Sequence, residues 1–503
     1  MNFSPPGWPA AAGWLLAWIA LGFLPPGKAA EPGAAEGSYC VVVSRATAAD
    51  VGWARVVGGL ITKHAARQPA VILHDGDVST ARDELREAFP TYVCFVATPA
   101  ESTRQFVAAV HRLTRELDDD PYSDVLWGIL TGFDAEGALA IARRAPPLTI
   151  RRVTSGTEVA LDRVEAGIWF SELQQNRAVA KPSDGAPAEE TAPDDTTAAI
   201  AARLNDGLTD LFVTSGHATE RDWQIGYGFP NGSFRSHAGS LTGVDTSGRS
   251  TPIDSDNPKV WLPVGNCLAG HIDGPDSLAL AFMESAGVVQ MIGYTVPTWY
   301  GYGGWGCLDY FVEQPGRFTL AEAFIANDHA LVHRLATFFP AAVAQSPAPG
   351  AMPGEFPPTA AGSAVGLSPH DGAGLLFDRD TVAFYGDPAW EARIADGPLA
   401  FEQSLQVTPD HDGSDRFTLE VWATEGPLSF VAGNRNGSQR GGRPIVAFLP
   451  HSIGPATIVE GSDQAPVITD TFVLLPRPAG EVDPAIPLRV VFRAKRARSK
   501  LLD

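Results

Sequence analysis

Short apolar strands alternate with helical segments over most of the chain, from residue 38 to about 395. The first strands are YCVVVS (39–44), AVILHD (70–75) and YVCFVAT (92–98), and segments with helical spacing separate them. Their apolar residues are continuous rather than alternating, as in strands that are covered on both faces. Strands joined by helical crossovers run parallel. The pattern therefore predicts an α/β fold with a parallel sheet between layers of helices.

The pattern changes at about residue 400, where apolar residues begin to alternate with polar ones. RFTLEVWA (416–423) and TDTFVLLP (469–476) have this period of two, which is typical of a β-sandwich. The acidic, proline-bearing stretch 180–197 is expected to form a disordered loop. We expect a signal peptide at residues 1–30 and an N-terminal α/β subdomain at 38–155. A catalytic α/β subdomain follows at 156–398, and a β-sandwich module at 399–503.

The first thirty residues have the pattern of a secretory signal peptide. Residues 10–24 are an uninterrupted apolar run, shorter than the roughly 20 residues of a membrane-spanning helix, and small residues follow it. No Lys or Arg precedes the run, so an uncleaved anchor helix is the alternative. We expect a secreted, periplasmic or cell-surface protein with no stable membrane span after cleavage of the signal.

The charge balance and the cysteine count exclude two classes of protein. The 503 residues include 37 basic and 58 acidic side chains, for a formal charge of −21. This acidity argues against a nucleic-acid partner, because phosphate binding requires clustered basic residues. Four cysteines in so long a chain exclude a disulfide scaffold. Single cysteines can therefore be considered for chemistry.

Two of the predicted strands end in a reactive side chain. His217 follows DLFVTSG and Cys267 follows KVWLPVGN, each after a glycine-containing turn. The carboxyl ends of parallel strands are where α/β proteins place catalytic groups. An imidazole can activate a thiol as a nucleophile, and the backbone N–H groups of Cys267 and Ala218 could stabilise an oxyanion. A zinc site that also uses His271 and Asp273 is the alternative.

The segments around these residues resemble the gingipain family of caspase-like cysteine peptidases. VTSGHATERDWQ (213–224) and LPVGNCLAG (262–270) match the family's strand–Gly–His and strand–Cys boxes in order and approximate spacing. AFYGDPAWEAR (383–393) resembles a Gly-Asp-Pro box near the end of the peptidase domain. The resemblance covers about residues 38 to 500, although only the first two boxes are specific.

The resemblance implies a caspase-like, gingipain-like α/β/α sandwich in two halves, followed by an immunoglobulin-like β-sandwich. It also implies an exported cysteine-type endopeptidase in which Cys267 is the nucleophile and His217 is its partner. The family usually has Gly after the histidine, whereas this chain has Ala218, which still supplies a backbone N–H. A catalytically inactive homologue that acts as a surface or binding protein is the alternative.

Aromatic residues are dense in GYTVPTWYGYGGWG (293–306), after the strand that follows Cys267. In the related fold this region contributes to the pocket for the residue before the scissile bond; a stacked aromatic loop is the alternative. An acid at the pocket base would select Arg or Lys. The expected pocket residues are Tyr294, Trp299, Tyr300, Trp305 and Asp309, with Asp273 as a second candidate for the acid.

No cofactor is expected to be required for this chemistry, and no metal is assigned to the site. The acidic loops HDGD (74–77) and DDDP (118–121) could take a calcium ion, as related peptidases do, or could be solvated turns. The expected partner is a protein or peptide substrate.

Overall fold

The computed structural model describes residues 37–410, 412–430, 436–478 and 480–497. The expected signal peptide at residues 1–30 lies outside these ranges. The described residues all belong to one compact unit. In the part of the chain that the structure describes, no helix is long and apolar enough to cross a lipid bilayer.

A twelve-stranded, mostly parallel sheet forms the centre of the fold. The strands before residue 400 are β1 (Tyr39–Ser44), β2 (Ala70–His74), β3 (Tyr92–Val96), β4 (Leu126–Leu130), β5 (Leu148–Ile150), β6 (Arg152–Ser155), β7 (Ala166–Phe170), β8 (Arg177–Lys181), β9 (Ala188–Thr191), β10 (Leu211–Thr214), β11 (Asp222–Gln224), β12 (Ser233–His237), β13 (Ser240–Val244), β14 (Ser250–Ile253), β15 (Lys259–Pro263), β16 (Val288–Tyr294), β17 (Val382–Tyr385) and β18 (Ala392–Ile394). The order of the large sheet is β2-β1-β3-β4-β17-β16-β15-β10-β6-β7-β8-β9, and a separate four-stranded antiparallel sheet contains β11 to β14.

Helices connect these strands and share their hydrophobic core, as the alternating pattern predicts. Several of them begin at a side-chain cap. The longest, α9 (Leu320–Phe338), has a capping box in which the side chains of Thr319 and Glu322 each accept a hydrogen bond from the backbone N–H of the other residue. The helices are α1 (Arg45–Ala49), α2 (Val51–Lys63), α3 (Arg82–Ala88), α4 (Arg104–Thr114), α5 (Ala135–Arg143), α6 (Thr197–Asn205), α7 (Leu278–Ser285), α8 (Tyr302–Phe311), α9 (Leu320–Phe338), α10 (Pro340–Val343), α11 (Ala360–Ala364) and α12 (Pro369–Asp378).

The large sheet runs without interruption through both expected α/β subdomains. β17 pairs parallel with β4 and antiparallel with β16. The direction of the strands therefore reverses between β17 and β16, so that β4 and β15 run in opposite directions. β6, from the first expected subdomain, pairs with β7 and β10 of the second. The α/β class with a mostly parallel sheet is confirmed, and the two halves form one continuous sheet.

Two segments differ from the sequence expectation. Residues 180–197, expected to be a disordered loop, contain β9, an exposed edge strand that pairs antiparallel with β8. A polar segment can form such a strand because pairing at a sheet edge satisfies its backbone groups without burying its side chains. The glycine-rich end of segment 293–306 begins helix α8, whose residues are all buried. Burial against the core outweighs the low helix propensity of glycine there.

The C-terminal module consists of two antiparallel sheets that share a core. The predicted period of two is confirmed for residues 416–423, whereas residues 472–475 of the segment TDTFVLLP are all buried. In β20 the alternate residues Phe417, Leu419 and Val421 are buried. The other face of the smaller sheet packs on the α/β part, where the ring of Phe472 stacks on His329 of α9 at 3.9 Å. The strands are β19 (Phe401–Pro409), β20 (Asp415–Ala423), β21 (Ile445–Phe448), β22 (Thr457–Glu460), β23 (Val467–Ile468), β24 (Phe472–Leu475) and β25 (Leu488–Ala494).

Candidate active site

His217 and Cys267 line one cleft of about 450 Å³, just beyond the carboxyl ends of β10 and β15. These strands are parallel neighbours, and Thr214 at the end of β10 is in register with Pro263 at the end of β15. His217 is exposed and Cys267 is half-buried, so a ligand in the cleft can reach both side chains. The structure therefore brings together the two residues that follow these strand ends.

A buried chain of hydrogen bonds ties the two strand ends together. Asn266 accepts a hydrogen bond from Thr214 Oγ1 at 2.7 Å and donates from Nδ2 to the carbonyl of Gly216 at 3.1 Å. Trp261 Nε1 donates to the same threonine hydroxyl at 3.1 Å. Because Gly216 and Asn266 immediately precede the histidine and the cysteine, this satisfied network fixes the spacing of the two loops.

The backbone around Cys267 is arranged for hydrogen bonding at the cleft. The N–H of Thr298 donates to the Cys267 sulfur at 3.2 Å. Leu268 has φ of 57°, in a left-handed region that residues with side chains rarely adopt. Within the described ranges, the N–H groups of Cys267 and Ala218 donate no hydrogen bond. Ala218 forms an isolated antiparallel bridge with Trp223 and does not itself line the cleft, whereas Cys267 does.

The imidazole of His217 packs against Tyr227, which also lines the cleft. The two ring centroids lie 4.8 Å apart with an angle of 33° between the planes. Gly216, directly before the histidine, has φ of +93°, which glycine adopts without strain. Tyr227 and the turn at Gly216 together limit the positions that the imidazole can take.

A buried carboxylate that the sequence analysis did not select also lines the cleft. Glu172 is 6% exposed, and its Oε1 accepts a hydrogen bond from Thr157 Oγ1 at 2.7 Å. Burial raises the pKa of the Glu172 carboxyl, while the Thr157 hydrogen bond favours the ionised form. Glu172 follows β7, a parallel strand of the same sheet, so the strand-end rule could have identified it as well.

Two of the expected pocket residues, Trp299 and Trp305, line the cleft. Trp299 lies edge-to-face on Phe377, with centroids 5.5 Å apart. The chain passes close to Trp305 at Gly265, where an added Cβ would overlap Ser215 Oγ and lie 2.9 Å from the indole Nε1. A glycine is therefore required two residues before Cys267.

The structure places the other expected pocket residues away from the cleft surface. Tyr294, Tyr300 and Asp309 are buried, and each is held by a polar partner because tyrosine hydroxyls and carboxylates inside a protein need hydrogen bonds. Asp273 is exposed. An aromatic-rich segment does not show which of its rings face the core. The pairs are Tyr294 with Asp378 (2.9 Å), Tyr300 with Asp371 (2.8 Å) and Asp309 with Arg440 (2.7 Å), while Asp273 pairs with Arg221 (2.7 Å).

A separate group of carboxylates lies between the α/β part and the C-terminal module. Oxygens of Asp118, Asp124 and Asp470 lie within 4.8 Å of one another, and no other described residues form such a group of three or more potential metal ligands. Asp124 is 5% exposed, and its Oδ2 has no hydrogen-bond partner in the described part of the chain. Burial and the neighbouring carboxylates raise the pKa of Asp124 to about 10.

The other metal sites considered from the sequence have different partners. In the HDGD loop, Asp75 pairs with Arg45 at 2.9 Å, and Asp77 accepts the N–H of Ser79 at 3.0 Å as a helix cap. His271, part of the zinc alternative, instead contacts Arg104 at 2.8 Å. The zinc set therefore does not form a cluster among the described residues.

Comparisons with known proteins give no family assignment. No protein-family model, no curated protein and no solved structure matches the chain. The gingipain resemblance therefore rests on the sequence boxes around His217 and Cys267 alone.

Proposed function

We propose that the chain is an exported cysteine-type endopeptidase of the gingipain-like group, with a caspase-like α/β core and an immunoglobulin-like C-terminal module. The observation that carries the proposal is the shared cleft in which His217 and Cys267 follow two neighbouring parallel strands. Export is supported by the apolar run at residues 10–24 and the small residues that follow it.

The proposed hydrolysis at this cleft proceeds through a thioester. Proton transfer from Cys267 to His217 gives a thiolate, which attacks the peptide carbonyl and forms a C–S bond. The oxyanion accepts a hydrogen bond from the Cys267 N–H, with the Ala218 N–H as the second expected donor. The imidazolium protonates the leaving amine as the C–N bond breaks. His217 then deprotonates water, which attacks the thioester carbonyl. The C–S bond breaks to release the carboxylic acid product, and the imidazolium returns its proton to the sulfur.

A thiol-reactive peptidyl probe tests this proposal directly. We expect the probe to modify Cys267 in the folded protein, as read by mass spectrometry of the digested product. The label should disappear in Cys267→Ala and be strongly slowed in His217→Ala, whereas His237→Ala, an exposed histidine of β12, should be labelled normally. A folded wild-type protein that is not labelled would contradict the proposal and would favour a non-catalytic binding protein.

Glu172 supports a preference for a basic side chain before the scissile bond. It is the only carboxylate among the described residues that line the cleft. Trp299 and Trp305 offer apolar surface for the methylene stem of Arg or Lys, whose charged end can pair with the carboxylate.

The variant Glu172→Gln is expected to lose this preference. Because a cation desolvated in the cleft would lose its partner, kcat/KM for an arginyl substrate should fall about 100-fold relative to an uncharged norleucyl substrate. The matched control is Glu165→Gln, since Glu165 pairs with Arg151 at 2.5 Å and does not line the cleft. An unchanged arginyl-to-norleucyl ratio in Glu172→Gln would exclude the assignment.

We further propose that Asp118, Asp124 and Asp470 bind calcium. Calcium prefers several carboxylate oxygens, and in the described ranges none of these three side chains has an ion-pair partner that could neutralise it. Asp118 and Asp124 precede β4, whereas Asp470 belongs to the C-terminal module. The ion would therefore link the two parts of the fold.

Calcium is expected to raise the unfolding midpoint relative to EDTA. A ligand at 100 times its dissociation constant contributes about 2.7 kcal/mol, and Asp124→Asn should abolish the effect while Asp75→Asn retains it. Without metal, the raised pKa values of Asp124 and Asp470 (to about 7) mean that the folded state binds more protons. Metal-free stability should therefore increase as the pH falls from 7 to 5. Equal midpoints in calcium and EDTA would contradict the site.

A further inference from the structure

One wall of the cleft comes from the C-terminal module. The segment 436–443, here called the strap, lies between β20 and β21. Its residues Asn436, Gly437 and Ser438 line the same cleft as the proposed catalytic dyad. Substrate in the cleft would therefore contact the module as well as the α/β part.

Buried ion pairs hold the strap on α8, the helix that carries Trp305. Arg440 donates to Asp309 at 2.7 Å and to Glu313 at 3.1 Å, and the side chains of Arg440 and Asp309 are each 5% exposed. The N–H of Gly441 donates to the second oxygen of Asp309 at 2.8 Å. Loss of one partner would leave a buried charge unpaired, so the strap is tightly held at this point.

A second anchor and a close backbone contact complete the attachment. The Arg443 guanidinium lies 3.5 Å from the centre of the Tyr302 ring and donates to Asn327 at 3.0 Å. Gly437 has φ of +104°, and a Cβ there would overlap the Trp305 ring. The strap and the cleft wall formed by Trp305 are therefore in direct contact.

The first residue of the strap is joined to Glu172 through a threonine. Asn436 Nδ2 donates to Thr157 Oγ1 at 3.0 Å, and that hydroxyl donates to Glu172 Oε1 at 2.7 Å. Because the hydroxyl oxygen accepts from the amide, its own proton is directed at the carboxylate. The other carboxylate oxygen lies toward Gly216, on the side of the His217 loop.

We propose that Asn436 is a positioning residue for substrate selection, supplied to the cleft by the C-terminal module. Its amide fixes the direction of the Thr157 proton and thereby orients the Glu172 carboxylate toward a basic substrate side chain. The ion pairs of Arg440 keep the amide in place. This inference rests on the proposed peptidase function and gives the module a part in recognition.

The test compares labelling rates of the full-length protein with two matched probes, one arginyl and one norleucyl. In Asn436→Ala the arginyl-to-norleucyl rate ratio is expected to fall about 10-fold, because one hydrogen bond that orients the carboxylate is lost. The conservative variant Asn436→Gln should restore part of the ratio. Thr457→Ala, at an exposed position of β22 that does not line the cleft, should keep the ratio within about 2-fold of wild type.

Arg440→Gln provides a second test from outside the cleft. Although Arg440 does not line the cleft, release of the strap should lower the same ratio. The Asn436 hydrogen bond favours ionised Glu172, so the pH at which the arginyl preference appears should move upward in Asn436→Ala. Unfolding midpoints identify any variant that is not folded.

The outcomes separate this inference from the proposed function. Wild-type protein that no probe labels would remove the peptidase function itself. Wild-type protein that is labelled with an arginyl preference, together with unchanged ratios in Asn436→Ala and Arg440→Gln, would overturn the role of the strap alone. A reduced ratio in both variants, with normal labelling in Thr457→Ala, would support it.

Discussion

Replacement of Cys267 by alanine is expected to lower kcat for peptide hydrolysis by on the order of 10⁵- to 10⁶-fold, because Cys267 is the only thiol among the described residues that line the cleft. His217→Ala should cause a loss of similar size. The double variant should be little worse than either single one, since the two side chains act as a unit. Initial rates with a fluorogenic arginyl peptide measure these losses.

Cys40→Ala is the matched control for this prediction. Cys40 is buried in β1, and burial raises the pKa of its thiol to about 12, so it cannot serve as a nucleophile at neutral pH. Its variant should retain wild-type kcat once correct folding is verified by circular dichroism. Hydrolysis that persists in Cys267→Ala would show that the activity has another source.

Replacement of Asp387 by alanine is expected to lower the free energy of unfolding by about 3–5 kcal/mol. This carboxylate, in the Gly-Asp-Pro box, is 1% exposed and joins the start of β1 to the end of α2. It accepts hydrogen bonds from Tyr39 at 3.0 Å and His64 at 2.7 Å, and it pairs with Lys63 at 2.6 Å. In Asp387→Ala, the buried ammonium group of Lys63 would lose its counter-ion.

Urea unfolding of wild type and Asp387→Ala measures the difference. Asp75→Ala is the control, because Asp75 forms an exposed pair with Arg45, and such pairs contribute less than about 1 kcal/mol. Equal effects of the two substitutions would contradict the prediction.

The pH dependence provides a second readout for Asp387. Burial opposes its ionisation, but the hydrogen bond from His64 and the charge of Lys63 hold the pKa of this carboxyl well below its usual range. A depressed pKa in the folded state stabilises the protein above the unfolded-state pKa of about 4, and this contribution is lost as the pH falls below it. Wild type should therefore lose more stability than Asp387→Ala between pH 5 and pH 3.

The positions of His217 and Cys267 could be predicted because strand ends can be read from local patterns. Apolar runs show where strands stop, and parallel strands bring their carboxyl ends to one edge. Glu172 obeys the same rule and could have been found with them. The edge strand β9 could not, since its polar residues carry no hydrophobic pattern.

The position of Asn436 at the cleft depends on tertiary packing, and so does the burial of Tyr294 and Tyr300. Local sequence patterns do not show such packing. Asn436 reaches the cleft because ion pairs of Arg440 fix a loop far along the chain. Tyr294 and Trp299 lie in the same aromatic segment, yet only Trp299 lines the cleft. Which ring faces solvent is decided by partners such as Asp378, which the sequence does not place.

The position of β17 determines when the cleft can form during synthesis. This strand lies between β4 and β16, although the ribosome produces it long after both. Until residues 382–385 emerge, the two groups of strands have no shared partner, and contacts of such long sequence separation form slowly. The strap emerges later still. A nascent chain would therefore carry its thiol without a finished cleft, and under the proposed function proteolysis would begin only when nearly the whole polypeptide has folded.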